Sequence, residues 1–190
     1  MAVENRFASS APEALAGAAM PRFFVSHLMS TDIVIRPERA DHPQAVAMLG
    51  ALDAYLATLY APEANHILSI DELLAPEVSF FAAWRGDRMV GTGALRRMAG
   101  EPETDGAPYG EVKRMYVEPS VRGQGVAWRM LATLEQSLRA QRIGWGLLET
   151  GRDQREAVRL YERCGYRRRG PFAGYADNGL SLFYAKAIAA

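Results

Sequence analysis

The sequence has little cysteine and histidine. Cys164 is the single cysteine among 190 residues, and His27, His42 and His66 are the three histidines. A lone cysteine cannot form an intrachain disulfide, which is typical of proteins in the reducing cytoplasm. The histidines are too scattered to predict a zinc site or to favour a cysteine–histidine nucleophile pair. We therefore expect a cytoplasmic protein without a metal ion, in which Cys164 packs at the end of a helix.

The sequence also lacks an excess of either charge and any long apolar run. It has 22 basic and 22 acidic residues, so its formal net charge is zero. Neutrality gives no electrostatic reason to expect nucleic acid or an anionic membrane as a partner. No apolar run reaches the roughly 20 residues that a transmembrane helix needs. Lysine is scarce too, and among so many arginines the run at residues 167–169 indicates a solvated face rather than a binding site.

The chain has the composition and length of one globular domain. Hydrophobic residues make up 49% and charged residues 23% of the sequence, an ordinary balance. Residues 1–30 show no hydrophobic period and no signal-peptide apolar region. We predict a mobile arm over residues 1–30 and a single domain over residues 31–190. Phe23, Phe24 and Val25 would allow the alternative of a partner-binding arm.

Strand and helix patterns alternate along the predicted domain, which indicates an α/β protein. Short β-branched and aromatic runs predict strands at residues 33–35, 80–84, 89–95, 111–117, 144–150, 166–170 and 180–186. Apolar residues at helical spacing predict four helices, and Asp41, Ser69 and Asp153 are the expected caps of three of them. The fourth helix follows a glycine-containing turn.

That turn belongs to the most informative stretch, GEVKRMYVEPSVRGQGVA, at residues 110–127. A strand, a glycine turn and a helix N-terminus together form an anion site, because the first helical N–H groups have no partner within the helix. Gly123 and Gly125 would let the main chain approach a phosphate closely. Arg122 would add a cation with a forked set of donors.

Two common nucleotide motifs do not match this turn. A dinucleotide fingerprint needs Gly or Ala three positions after its second glycine, where this chain has Trp128. A Walker A loop needs Gly-Lys-Ser/Thr, where this chain has Gly125-Val126-Ala127. The pattern that matches is R-x-x-G-x-A.

This pattern, after the strand EVKRMYV, resembles the acetyl-CoA diphosphate loop of the GNAT superfamily of N-acetyltransferases. A second match lies downstream, where Ala157, Leu160, Tyr161 and the Cys-Gly-Tyr at residues 164–166 resemble the family's A..LY...GY segment. The resemblance covers roughly residues 31–188. It implies the GNAT fold, an α/β architecture in which a twisted, mixed but mostly antiparallel sheet of about six or seven strands is flanked by about four helices.

The resemblance implies acetyl-CoA as cosubstrate and also implies which residues contact it. The diphosphate would lie on the main chain of residues 122–127, and the pantetheine arm beside the end of the preceding strand. A splay or bulge there would free main-chain groups for the ligand. Gln154 stands where many members have Asn. The implied cofactor residues are Met115, Tyr116, Val117, Arg122, Gly123, Gln124, Gly125, Val126, Ala127, Gln154 and Ala157.

The implied reaction is direct acyl transfer from a thioester to an amine. An ammonium group must lose a proton before it can attack, so a carboxylate or an ordered water must accept that proton. Glu111 matches a carboxylate that acts as base in some members, here through water, and Glu149 is the alternative. Tyr161 matches the family tyrosine that protonates the departing thiolate. Alternatively, Glu111 is a surface strand-end residue and Tyr161 a core aromatic.

The acceptor is predicted only as a class, a primary amine of a small molecule or peptide. Asn65, His66, Glu149 and Tyr175 are candidate substrate contacts. Two alternatives stay open, a non-catalytic acyl-CoA sensor and a transferase of a longer acyl group. The family habit of pairing through the last strands also predicts a homodimer.

Overall fold

The computed structural model describes residues 32–61 and 66–189. The predicted arm over residues 1–30 and the candidate substrate residue Asn65 lie outside the described residues. Within the described ranges the domain is built on one sheet with helices on both of its faces.

Residues 32–61 and 66–189 contribute seven strands to the sheet, in the order β1-β2-β3-β4-β5-β7-β6. All neighbouring pairs are antiparallel except β4 and β5, which are parallel. The predicted mixed, mostly antiparallel sheet is therefore confirmed. The strands are β1 Ile33–Pro37, β2 Val78–Arg85, β3 Arg88–Met98, β4 Tyr109–Val117, β5 Trp145–Gly151, β6 Arg167–Arg169 and β7 Ser181–Ala187.

In the described part of the chain four helices flank the sheet, α1 Pro43–Ala57, α2 Ile70–Leu73, α3 Val126–Ala140 and α4 Arg155–Arg163. On one face, α3 buries Met130, Leu134 and Leu138 in a cluster that also holds Tyr161 of α4. The other face carries α1 and α2, whose Leu49 and Leu73 pack on the opposite side chains of β2 and β3. Alternation along the strands produces these two cores, because successive side chains point to opposite faces.

The predicted cap Ser69 is confirmed, because its hydroxyl accepts from the Glu72 N–H at 3.2 Å and the Glu72 carboxylate accepts from the Ser69 N–H at 2.8 Å. The predicted cap Asp41 is wrong. The Asp41 carboxylate accepts a bidentate pair of bonds from Arg39 at 2.9 and 2.7 Å, and His42 Nδ1 caps α1 instead.

The cap predicted for α4, Asp153, is also wrong. The helix begins at Arg155, so the N-cap position falls on the residue after Asp153. Gln154 is the N-cap residue, and its side chain makes no cap hydrogen bond. The Gln154 Oε1 turns back and accepts from the Gly151 N–H at 2.9 Å and the Thr150 hydroxyl at 3.0 Å. The side chain therefore fixes the turn from β5 into α4.

The parallel strands β4 and β5 separate before they end. In the described chain they pair at residues 110–112 against residues 146–148, whereas β4 runs on to Val117 and β5 to Gly151. A bulge falls just beyond the last pair, where Arg114 has a φ of 55° and the register with β3 shifts. The predicted splay is therefore present, and it opens a cleft in the middle of the sheet.

Candidate active site

The glycine turn leads from β4 into α3. Gly123 and Gly125 both have a φ of 77°, and Gly125 is the N-cap residue of the helix. A Cβ added to either glycine would project into open space. The left-handed conformation favours glycine, and the space above it gives a ligand free access to the main chain. The first N–H groups of α3 therefore face an open cradle.

A groove of about 940 Å³ runs from this cradle between α3, α4 and the end of β4. Arg122 stands at its edge, where its Nε–H donates to the Val117 carbonyl at 3.0 Å. The residues predicted to bind the cofactor that line the groove are Met115, Tyr116, Val117, Arg122, Gly123, Gly125, Val126, Ala127, Gln154 and Ala157. The exception is Gln124, whose side-chain oxygen accepts from Arg85 at 2.5 Å.

The groove has the features that an acyl-CoA needs. Free N–H groups at a helix N-terminus suit a diphosphate, and a side chain on Gly125 would fill that cradle. The unpaired edge of β4 beyond residue 112 suits the amide-containing pantetheine arm. Trp128 is 60% exposed at the rim of the same groove, so the bulk that argues against a dinucleotide motif points outward.

A second cavity, of about 100 Å³, lies in the splay between β4 and β5 and adjoins the groove. Leu52, Met115, Gln154, Ala157 and Tyr161 line both spaces. The two cavities therefore meet at the Tyr161 side chain. The smaller one is also lined by polar groups of Tyr60, His66, Lys113, Arg114, Glu149 and Thr150.

Tyr161 is 6% exposed at the junction of the two cavities. Burial raises the pKa of its phenol well above the usual value, and the negative charges of Glu149 and an ionised Cys164 raise it further. The hydroxyl therefore stays protonated at neutral pH. Its placement fits the predicted role as a proton donor at the point where the acyl group would be transferred.

The two candidate bases occupy different environments. Glu149 is half-buried and lines the smaller cavity. Glu111 is 2% exposed, and its Oε1 accepts from the Tyr175 hydroxyl at 2.6 Å and lies 3.4 Å from the Lys113 ammonium. Glu111 is therefore a core residue rather than a surface strand-end residue, and it lies behind Lys113 and Tyr175 rather than among the residues that line either cavity.

Lys113 is a site residue that the sequence interpretation missed. It is 8% exposed, and its ammonium donates to the His66 carbonyl at 3.0 Å and the Tyr175 hydroxyl at 2.8 Å. One buried charge thus ties the segment before α2 and the loop before β7 to β4. The alternation of side chains along β4 could have identified Lys113, because it places Glu111 and Lys113, which have opposite charges, on the same face of the sheet.

His66 and Tyr175, two of the predicted substrate contacts, are brought together in this wall. Their rings meet edge to face with centroids 4.7 Å apart. His66 lines the smaller cavity, whereas Tyr175 supports the wall behind it. On the opposite side, Arg114 at the bulge donates to both carboxylate oxygens of Asp53 on α1, at 2.5 and 3.1 Å.

The described residues contain neither a metal-binding cluster nor a membrane-spanning helix. Residues 32–61 and 66–189 hold no group of His, Cys, Asp or Glu side chains that could bind a metal ion. The helices of the same ranges are all too short or too polar to cross a membrane.

Comparison with known proteins gives a consistent result. The family model described as acetyltransferase (GNAT) family matches residues 48–166. An IAA acetyltransferase from Azospirillum brasilense is 38% identical over 157 residues, which cover 83% of this chain and 99% of that protein. A Bacillus subtilis protein named uncharacterized N-acetyltransferase YsnE is 29% identical over 147 residues, 76% of this chain and 93% of its own.

A solved structure from Klebsiella pneumoniae, described as an acyl-CoA N-acyltransferase, matches with a TM-score of 0.65 and 31% identity, over 82% of this chain and 97% of its own. Together with the groove and the splayed strands, these likenesses define the protein as an acyltransferase. The chain belongs to the GNAT acetyltransferase family, whose members use acyl-CoA and act on amine acceptors.

Replacing Gly125 by valine should abolish acyl-CoA binding. The side chain would fill the cradle in front of the α3 N–H groups, and the measurement is titration calorimetry with acetyl-CoA. Gly86→Val is the matched control, because Gly86 has a φ of 62° and equally open surroundings in the β2–β3 turn. Both variants should lose similar stability, about 1–2 kcal/mol from the left-handed backbone. Unchanged affinity in Gly125→Val would contradict the cradle.

Alkaline pH should destabilise the domain through its buried tyrosines. Burial raises the pKa of Tyr161 and of Tyr166 above the usual value of about 10. Above that pH the unfolded chain releases phenolic protons that the folded protein retains, so stability present at lower pH is lost as pH rises. We expect the free energy of unfolding in urea to fall by up to about 1.4 kcal/mol per pH unit for each tyrosine.

The variant Tyr161→Phe tests this assignment, because phenylalanine keeps the ring but has no proton to release. Its free energy of unfolding should fall less steeply with pH than that of the unsubstituted protein. The difference in slope should equal the contribution of one tyrosine. Equal slopes for the two proteins would show that the Tyr161 hydroxyl is not buried in solution.

Proposed function

We propose that the protein transfers an acetyl group from acetyl-CoA to a primary amine of a small molecule or peptide. The observation that carries the proposal is the junction of the two cavities at Tyr161, one side open to the glycine cradle and the other bordered by Glu149. Acetyl-CoA would supply an acetyl thioester at that junction. The cavity of about 100 Å³ supports a short acyl group and a slim amine-bearing acceptor group.

The charges around the smaller cavity support an amine as acceptor. Lys113 is balanced by Glu111, and Arg114 is balanced by Asp53. Among the described residues Glu149 is the carboxylate of this cavity with no cationic partner. Burial is the main cause of the raised pKa values of the Tyr60 and Tyr161 phenols, and the charge of Glu149 adds to it in both. A single unbalanced carboxylate in a confined space favours an ammonium group beside it.

Proton transfer from the acceptor is therefore assigned to Glu149 rather than to Glu111. Glu149 borders the space that the amine would enter, and its carboxylate oxygen, directly or through one water, would take the proton from the acceptor nitrogen. Glu111 has a positioning role, because it holds Tyr175 and Lys113 in the wall of the cavity.

Protonation of the leaving thiolate is assigned to Tyr161, and stabilisation of the thioester oxygen is assigned to the main chain of β4. The Tyr161 hydroxyl would donate its proton to the departing sulfur, for which burial keeps it protonated. The unpaired edge of β4 would offer N–H groups of Met115, Tyr116 or Val117 to the pantetheine amide and to the thioester oxygen. The relative named IAA acetyltransferase, 38% identical, supports acetyl as the acyl group.

Glu149→Gln should lower kcat/KM for an amine substrate by about 10²–10⁴-fold, the usual contribution of a general base. The loss should shrink as the pH approaches the pKa of the amine, about 10, because the acceptor then arrives already deprotonated. Release of the CoA thiol against a panel of amines, followed across pH, is the measurement.

Glu111→Gln is the comparison variant. It leaves the buried Lys113 ammonium without its counter-charge, so it should cost stability, about 3–5 kcal/mol, while folded enzyme keeps most of its turnover. If Glu111→Gln instead shows the larger, pH-relieved loss of turnover, then Glu111 is the base. If the unsubstituted protein binds acetyl-CoA but releases no CoA thiol with any amine in the panel, the protein is a binding module.

Tyr161→Phe should lower kcat while leaving the dissociation constant of acetyl-CoA within a factor of about two to three. The ring keeps its packing at the junction, and only the proton donor is lost, which typically costs 10²-fold or more in rate. Single-turnover rates and calorimetry on the same preparation separate the two quantities. An unaltered kcat would make Tyr161 a packing residue.

A further inference from the structure

Helix α4 presents a row of arginines to the groove that the proposed reaction does not use. Arg155, Arg159 and Arg163 recur at i, i+4 and i+8, so their side chains lie along one face of the helix. All three are exposed, and all three line the groove that holds the glycine cradle. We call these residues the α4 arginine face.

The carboxylates of the groove do not neutralise this face. Glu156 lies 3.8 Å from Arg122, and Asp153 lies 3.9 Å from Arg152, so each acidic residue that lines the groove has another arginine near it. In the described part of the chain no carboxylate pairs with Arg155, Arg159 or Arg163. Arg163 donates instead to the Arg159 carbonyl at 3.3 Å. The groove therefore carries surplus positive charge on its α4 side.

The diphosphate of a bound CoA does not account for this surplus. Its charges would be met by the α3 N-terminus and Arg122, on the other wall of the groove. CoA also carries a phosphate monoester on its ribose, with a charge of about −1.5 to −2 at pH 7. Arginine is suited to such a group, because its planar fork donates two parallel bonds to phosphate oxygens.

We propose that the α4 arginine face binds the 3′-phosphate of CoA, with Arg159 at its centre, and so selects CoA over its dephosphorylated form. This inference rests on the proposed use of acetyl-CoA. It assigns a specificity-determining role to residues outside the R-x-x-G-x-A turn and outside the acceptor cavity.

Dephospho-CoA tests the arginine face apart from the rest of the groove, because it lacks only the phosphate monoester. By titration calorimetry the unsubstituted protein should bind CoA at least about tenfold more tightly than dephospho-CoA, as expected for a charge-assisted bidentate contact. Arg159→Gln should weaken CoA by about tenfold and leave dephospho-CoA unchanged. The triple variant Arg155→Gln, Arg159→Gln, Arg163→Gln should bind both ligands equally.

Arg167→Gln is the control, because Arg167 is exposed on the edge strand β6, outside the residues that line the groove. It removes the same charge and should leave the ratio of the two affinities unaltered. A triple variant that still prefers CoA, or a protein that binds both ligands equally from the start, would overturn the arginine assignment alone. If neither ligand binds, the acetyl-CoA assignment fails together with it.

Discussion

The site depends on one break in the sheet, the separation of β4 from β5 beyond residues 112 and 148. A parallel pair that stayed closed would bury these main-chain groups in ladder hydrogen bonds and leave no space between them. The bulge at Arg114 turns β4 away, and the strand then leads directly to the glycine turn and α3. The same break therefore creates one wall of the larger groove and the floor of the smaller cavity, and Tyr161 lines both spaces.

Two ion pairs hold the walls of the cleft, and the one between Lys113 and Glu111 is buried on both sides. Lys113 with Glu111 fixes the side formed by His66 and Tyr175, and Arg114 with Asp53 fixes α1 against the bulge. Buried charges need partners of opposite sign, and Lys113 and Arg114 each have a carboxylate partner, whereas Glu149 is the carboxylate of the described cavity wall without a cationic one. Positive charge is concentrated instead on α4, whose Arg155, Arg159 and Arg163 line the larger groove. The unpaired carboxylate on one side of Tyr161 suits the cationic acceptor that we propose, and the arginines on the other side suit a phosphate-rich ligand.

Much of the fold and of the lining of the candidate cofactor groove could be predicted from the sequence, because both rest on local rules. Gly123 and Gly125 predict a turn that favours positive φ, and short β-branched and aromatic runs predict the strands. The caps Asp41 and Asp153 were wrong because a cap depends on where the first helical turn begins and on what competes for the side chain. Arg39 competes for Asp41, and Gln154 rather than Asp153 is the N-cap residue. Gln124 was assigned by its place in the turn, although its side chain points to Arg85.

Local patterns in the sequence were enough to predict the α/β architecture, the glycine turn before α3 and Tyr161 on α4, since these follow from short-range periodicity and from residues adjacent in the chain. Tertiary structure alone decided the environments of the two carboxylates. Glu111 and Glu149 look equivalent as strand residues, but the fold brings Tyr175, which is distant in sequence, against Glu111 and leaves Glu149 at the cavity. Burial and pairing are properties of contacts between distant segments, so the spacing of residues along one strand does not contain them.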